Sequence, residues 1–143
     1  MGFAEYDSHD ALGLAELVRT GEVSAVELVD EAISRIEANG QLNAVIARRF
    51  DEARERAEGD LGHGPFAGVP WLFKDLVAEE GQPATFGSVF FRDFMPEATS
   101  EIVRRHYQAG FIPLGRTTSP EFGLLPTTES TLFGATRNPW SLE

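Results

Sequence analysis

The 143 residues contain no cysteine, which excludes a disulfide framework, a thiolate nucleophile and thiolate metal ligation, and makes a reducing cytoplasm the simpler setting. Positive charge is scarce as well. Twelve basic residues face 23 acidic ones, and the net charge of -11 disfavours direct binding to nucleic acid or to an anionic membrane. No apolar run approaches the ~20 residues that a helix needs to cross a bilayer. Met1 is followed by acidic and polar residues, so the basic and then apolar segments of a secretory signal are not seen. His9, His63 and His106 stand far apart and in no ligand spacing, so no metal site is expected. The G-x-S-x-G elbow is missing, and so is S-x-x-K, because Trp71 stands three residues before the lysine. Internal repeats and low-complexity segments are absent too.

Lysine itself is nearly absent. Lys74 is the single lysine, against eleven arginines. Arginine stays charged, whereas a lysine withdrawn from water can release its proton and act as a base. Such a lysine near pH 7 needs its pKa lowered from about 10.4 by roughly three units, which costs on the order of 4 kcal/mol. Apolar walls can supply that, and Trp71-Leu72-Phe73 precede this one. The plainer reading is a lone amine that snorkels from a strand end to solvent. The known partner of a neutral lysine is a serine hydroxyl, and Ser88, Ser119, Ser130 and Ser141 are the later candidates. Each also reads as a turn, cap or loop residue.

Length and composition suit one globular domain with a real core. Ala11, Leu14, Ala15 and Val18 predict a helix within 7–20, with Asp7, Ser8 or Asp10 as cap and Gly21 as stop. Ser24-Ala25-Val26-Glu27 reads as a capping box for a second helix whose stripe is Leu28, Val29, Ala32, Ile33 and Ile36, ending at Asn39-Gly40. Leu42 to Ala47 is a strand candidate, and 51–58 a charged helix with Glu52 and Arg56 at i,i+4. Gly62, Gly64 and Ala67 match the G-x-G-x-x-A dinucleotide spacing. That match fails because Pro65 lies inside it, a charged helix precedes it and no amphipathic helix follows it. Leu72 to Val77 reads as strand and Thr85 to Ser88 as a turn, with Phe90, Phe91 and Phe94 on the core. Ser100 caps a helix facing Ile102, Val103 and Tyr107 inward, ending at Ala109-Gly110, and Phe111 to Leu114 reads as strand. Ser119-Pro120-Glu121 reads as a cap and first turn, and 123–143 as loop. Alternating helices and strands make the fold class α/β.

Gly68-Val69-Pro70-Trp71-Leu72-Phe73-Lys74-Asp75, then Thr85-Phe86-Gly87-Ser88, then the run from Ala109 to Phe122, resembles the front part of an amidase signature family hydrolase. Phe133 to Trp140 continues the match, the helices between Gly13 and Ile36 resemble the family's N-terminal pair, and bacterial amidases are the nearest in pattern. The motifs are specific together and weak singly.

The resemblance implies the N-terminal part of the amidase signature fold, a mixed β-sheet flanked by helices, incomplete without a Gly-Ser-rich core. It implies a single segment in which 1–60 is a helical N-terminal region and 61–143 a lysine-bearing sheet and loop region. It also implies hydrolysis of an amide C–N bond through an acyl-enzyme by a Ser-cisSer-Lys triad, with Lys74 as the triad lysine. Gly123 and Leu124 would border the acyl pocket, with Leu125 beside them. Arg116 stands where most relatives have lysine, and Glu101 where an aspartate commonly opens the helix. In the family both serines follow the Asn-Pro-Trp, and this chain stops at Glu143, before them, so alone it is expected to be inactive. No cofactor and no metal are implied. The expected partners are a small-molecule amide substrate and the remainder of the amidase domain, with no nucleic acid directly, no membrane, and room for a homo-oligomer. The alternatives are the glutaminase subunit of a tRNA-dependent amidotransferase and a non-catalytic truncated or complementing module.

Overall fold

The computed structural model describes residue 3 and residues 5–142. Helix α1 (Ala11–Thr20) opens with the Asp10 carboxylate accepting the Gly13 N–H at 2.8 Å and closes at Gly21, whose φ of 76° is left-handed. Helix α2 (Ala25–Ala38) has the expected capping box: the Ser24 hydroxyl accepts the Glu27 N–H at 3.2 Å, and the Glu27 carboxylate accepts the Ser24 N–H at 2.9 Å. Then come β1 (Val45–Arg48), α3 (Phe50–Glu58), β2 (Pro70–Lys74), α4 (Glu101–Gln108), β3 (Ile112–Thr117), β4 (Glu129–Ser130) and β5 (Gly134–Ala135).

The three-stranded sheet has the order β1-β3-β2. Strand β1 runs antiparallel to β3, with Val45 opposite Thr117 and Arg48 opposite Gly115. Strands β2 and β3 run parallel, since the Ile112 N–H donates to the Val69 carbonyl and, further along both strands, the Asp75 N–H donates to the Thr117 carbonyl. The sheet is therefore mixed, and the fold is α/β. Among the described residues no helix is long and apolar enough to cross a membrane.

The chain forms two compact units, each assembled from separate stretches. The first gathers residues up to Ala38 with Arg49–Leu72 and Arg105–Leu114. Its core joins the α2 stripe (Val29, Ala32, Ile33) to Ala53 and Ala57 of α3 and to Ile112 and Leu114 of β3. A neighbouring cluster holds Leu14, Leu28, Val69 and Phe111. Leu28 and Val29 are fully buried, each burial being worth about 1.5–3 kcal/mol. Phe111 stacks on Phe66 at 4.4 Å and leans on Trp71 at 4.7 Å, and His106 joins them, so this histidine is a packing residue.

The second unit comprises Asn39–Arg48, Phe73–Arg104 and the chain from Gly115 onward. Its interior is polar and aromatic. Arg116, 2% exposed, donates to the Val77 carbonyl at 2.7 Å and lies 3.5 Å from the Glu79 carboxylate. Phe86, Phe91, Phe94 and Phe122 meet ring to ring.

Several expectations are corrected. Strand β2 stops at Lys74 because the Leu76 and Val77 N–H groups both turn back to the Lys74 carbonyl, so the apolar run to Val77 is not strand throughout. Residues 40–42 form a 3-10 turn, and the strand candidate from Leu42 begins only at Val45. Glu52 and Arg56, spaced i,i+4 on the charged helix, have other partners: Glu52 pairs with Arg49 at 2.9 Å and Arg56 lies over the Tyr107 ring. Phe90 is 85% exposed and Ile102 54%, so neither is a core residue. Ser100 stands at the start of α4, where its carbonyl accepts the Arg104 N–H at 3.1 Å, and its hydroxyl donates to the Ala78 carbonyl. Ser119 is fully buried and donates to the Pro120 carbonyl, so it is not the cap, while the short helical turn expected around Phe122 does form, as 3-10 Glu121–Gly123. The stretch after Gly123 is not all loop, because β4 and β5 pair antiparallel.

Candidate active site

Lys74 ends β2 with its side chain exposed, so the described residues do not build the apolar niche expected around it. Period-two alternation sends the next side chain inward, and Asp75 is 1% exposed. Its carboxylate accepts the Thr85 N–H at 3.0 Å, the Thr85 hydroxyl, and the Gly87 N–H at 3.2 Å. The sequence pattern marks Asp75 only as a neighbour of Lys74 and Thr85-Phe86-Gly87-Ser88 only as a turn. The turn is in fact wrapped around the carboxylate, which accepts the Thr85 N–H and shares the Gly87 N–H with the Thr85 hydroxyl oxygen.

This turn is joined to a second one. Phe86 and Phe122 both adopt left-handed backbone, with φ of 52° and 53°, and the Phe122 N–H donates to the Phe86 carbonyl at 2.8 Å. The Ser88 hydroxyl donates to the Glu121 carboxylate. Left-handed non-glycine residues cost of order 1–3 kcal/mol each and persist only where surrounding bonds over-determine them. Gly123, with φ of 71°, follows directly, and a Cβ placed on it would lie 2.9 Å from Leu76 Cδ1. The structure thus brings the Lys74 end of β2, the 85–88 turn and the turn bearing Gly123 into one cluster. Leu124 and Leu125 continue from it, 78% and 63% exposed.

The candidate serines are engaged in structure. Ser88 binds Glu121, Ser119 binds Pro120, and the Ser130 hydroxyl accepts the Phe133 N–H at 3.0 Å. Ser141 is exposed. Behind Asp75 lies a cavity of about 220 Å³, lined by Ile46, Thr85, Arg116 and Phe133 among others. A larger groove of about 560 Å³ runs along α1 and residues 61–67 and contains none of the predicted site residues. Among the described residues no group of histidine, aspartate and glutamate could hold a metal ion.

Comparison with known proteins places this geometry. Residues 27–143 match the amidase family, described as Amidase. The chain is 44% identical over 137 residues to a 6-aminohexanoate-cyclic-dimer hydrolase of Paenarthrobacter ureafaciens, a match covering 93% of this chain and 27% of that protein. It is 40% identical over 144 residues to a glutamyl-tRNA(Gln) amidotransferase subunit of Salinispora tropica, covering 94% of this chain and 29% of that one. The solved structure of 6-aminohexanoate cyclic dimer hydrolase complexed with substrate superposes with a TM-score of 0.85 at 43% identity, covering 94% of this chain and 28% of that chain. The chain therefore spans little more than a quarter of the length of these relatives. The family match over residues 27–143, the shared fold and the motif around Lys74 lead to one assignment: the chain belongs to the amidase family, as an N-terminal portion of the amidase signature fold.

Proposed function

We propose that the protein to which these residues contribute hydrolyses an amide C–N bond through an acyl-enzyme, with Lys74 as the proton-transfer residue. The observation that carries the reading is the placement of the single lysine at the end of β2, in one cluster with the Gly123 turn and within the family match. In this reading Lys74 takes a proton through a bridging serine while a second serine attacks the amide carbonyl. The C–N bond then breaks, the amine leaves with the proton, and water hydrolyses the acyl ester. Backbone N–H groups of a Gly-rich loop hold the oxyanion. Both serines and that loop belong to the Gly-Ser-rich remainder of the domain, so the 143 residues alone are inactive. Gly123 and Leu124 border the acyl side of the substrate, and the apolar Leu124 suits a small or aryl carboxamide.

A second reading, a glutaminase that works only with partner subunits and tRNA, is favoured by the similarity to the Salinispora tropica amidotransferase. A substrate panel on the complete protein separates the two. Turnover of a cyclic 6-aminohexanoate amide or an aryl acetamide by the protein alone, with hydroxylamine trapping the acyl group as a hydroxamate, supports the first reading. Glutamine hydrolysis that requires added partner subunits and charged tRNA supports the second. Turnover of no amide under either condition removes both.

A further inference from the structure

We infer that Asp75 is a positioning residue for amide hydrolysis, holding the backbone of Lys74 in fixed register with the turn that carries Gly123 and Leu124. The inference rests on the reading of Lys74 as the proton-transfer residue. Asp75 touches neither substrate nor reacting atoms in this account. It acts through its two neighbours, one in the chain and one in space.

The connection is short and each step is a hydrogen bond. Asp75 is held by its own backbone, whose N–H donates to the Thr117 carbonyl at 3.1 Å, and by its carboxylate, which accepts two bonds from Thr85 and one from Gly87. With both ends of the residue fastened, the strand cannot rotate about its axis at position 74 without breaking the carboxylate's bonds. The other side of the Thr85–Ser88 turn passes the constraint on, through the Phe86 carbonyl to the Phe122 N–H at 2.8 Å and through the Ser88 hydroxyl to Glu121. Gly123 is the next residue after Phe122. Two turns thus separate the amine-bearing residue from the proposed acyl pocket, and the buried Asp75 carboxylate fastens the first of them to the end of β2.

A buried carboxylate is an expensive way to fill space, and an apolar side chain of similar size is often as stable or more so. What a carboxylate adds here is direction: it can bind N–H and O–H donors from two positions of one turn simultaneously. Asp75→Asn keeps the volume but replaces one of the two acceptor oxygens with an NH2 group, so either the Thr85 N–H or the Thr85 hydroxyl and Gly87 N–H lose their bonds to residue 75. A displacement of the reacting groups by about 1 Å costs on the order of 10²-fold in rate.

The test uses the complete enzyme with Asp75→Asn, Thr85→Val, Thr85→Ser and Lys74→Ala, assayed on one amide well below each variant's unfolding transition and normalised to folded protein by circular dichroism. Asp75→Asn and Thr85→Val are expected to lower kcat by about 10- to 100-fold while KM changes less than about threefold. Thr85→Ser, which retains the hydroxyl, is expected to stay within about threefold of the parent. A merely structural role would reduce the folded fraction and leave kcat per folded molecule unchanged, and that result would overturn the proposal. If Asp75→Asn does not fold, the Thr85 pair decides by the same criteria. Turnover retained in Lys74→Ala would overturn this proposal together with the lysine reading. Turnover lost in Lys74→Ala, with unchanged kcat in Asp75→Asn and Thr85→Val, would overturn this proposal alone.

Discussion

A single hydrogen atom is decisive at Gly87. Its φ is 68°, and a Cβ built there would stand 2.4 Å from the Ser119 carbonyl oxygen. Gly21 has a similar φ of 76° but nothing within 4 Å of the same position. The pair separates backbone strain from steric exclusion. Gly21→Ala is expected to lower stability by about 1 kcal/mol, the ordinary penalty of left-handed backbone for alanine, while Gly87→Ala loses at least roughly 2 kcal/mol more because the two turns must part. Thermal unfolding of the two variants checks this, and equal losses would mean that the contact of Gly87 with Ser119 can relax. At this scale the position of Lys74 at the end of a strand was legible, and one lysine against eleven arginines stands out in any reading. The bonding of Asp75 was not, because its partners lie 10 and 12 residues away and are chosen by a turn that no local pattern specifies. Its only visible signal was a carboxylate placed where alternation points inward.

Among the elements, those with their own local signals were readable. Helix α2 carries a full apolar stripe and a capping box, and both occur as expected. The end of β2 was misread because Leu76 and Val77 continue the apolar run past the point where two N–H groups turn back to the Lys74 carbonyl. Strands β4 and β5 were missed because two residues each leave no alternation to detect. Phe90 reads as core by hydrophobicity, yet it is 85% exposed; exposure is set by what surrounds a residue and not by its own type. The capping box also titrates. The bond from the Ser24 backbone N–H, and next that from its hydroxyl, holds the Glu27 carboxyl below its ordinary range. A carboxyl lowered on folding stabilises the folded state above its unfolded value, and that contribution is lost as pH falls through the folded value. Glu27→Gln retains a neutral acceptor whose bond does not titrate. The Tm advantage of the parent over Glu27→Gln is expected to be present at pH 7 and to shrink below about pH 4. A difference that stays constant from neutral to acid pH would contradict the assignment.

For the molecule as a whole, the sequence motifs and the fold agree on the amidase family, and the fold supplies what the motifs could not: two units, each built from separate stretches of chain. The cluster around Lys74 lies in the second unit, which contains both the carboxylate of Asp75 and the turn of Gly123. Since the chain covers 27% of the 6-aminohexanoate-cyclic-dimer hydrolase it resembles, the account concerns the complete protein, and that is where it must be tested. The most direct measurement is amide turnover by the complete protein carrying Lys74→Arg. Arginine preserves the positive charge and a long side chain but cannot become a neutral base near pH 7. The expected result is a fall in kcat of at least about 10²-fold per folded molecule, with the folded fraction read by circular dichroism. Turnover within about threefold of the parent would show that the nitrogen of Lys74 carries no proton in the reaction.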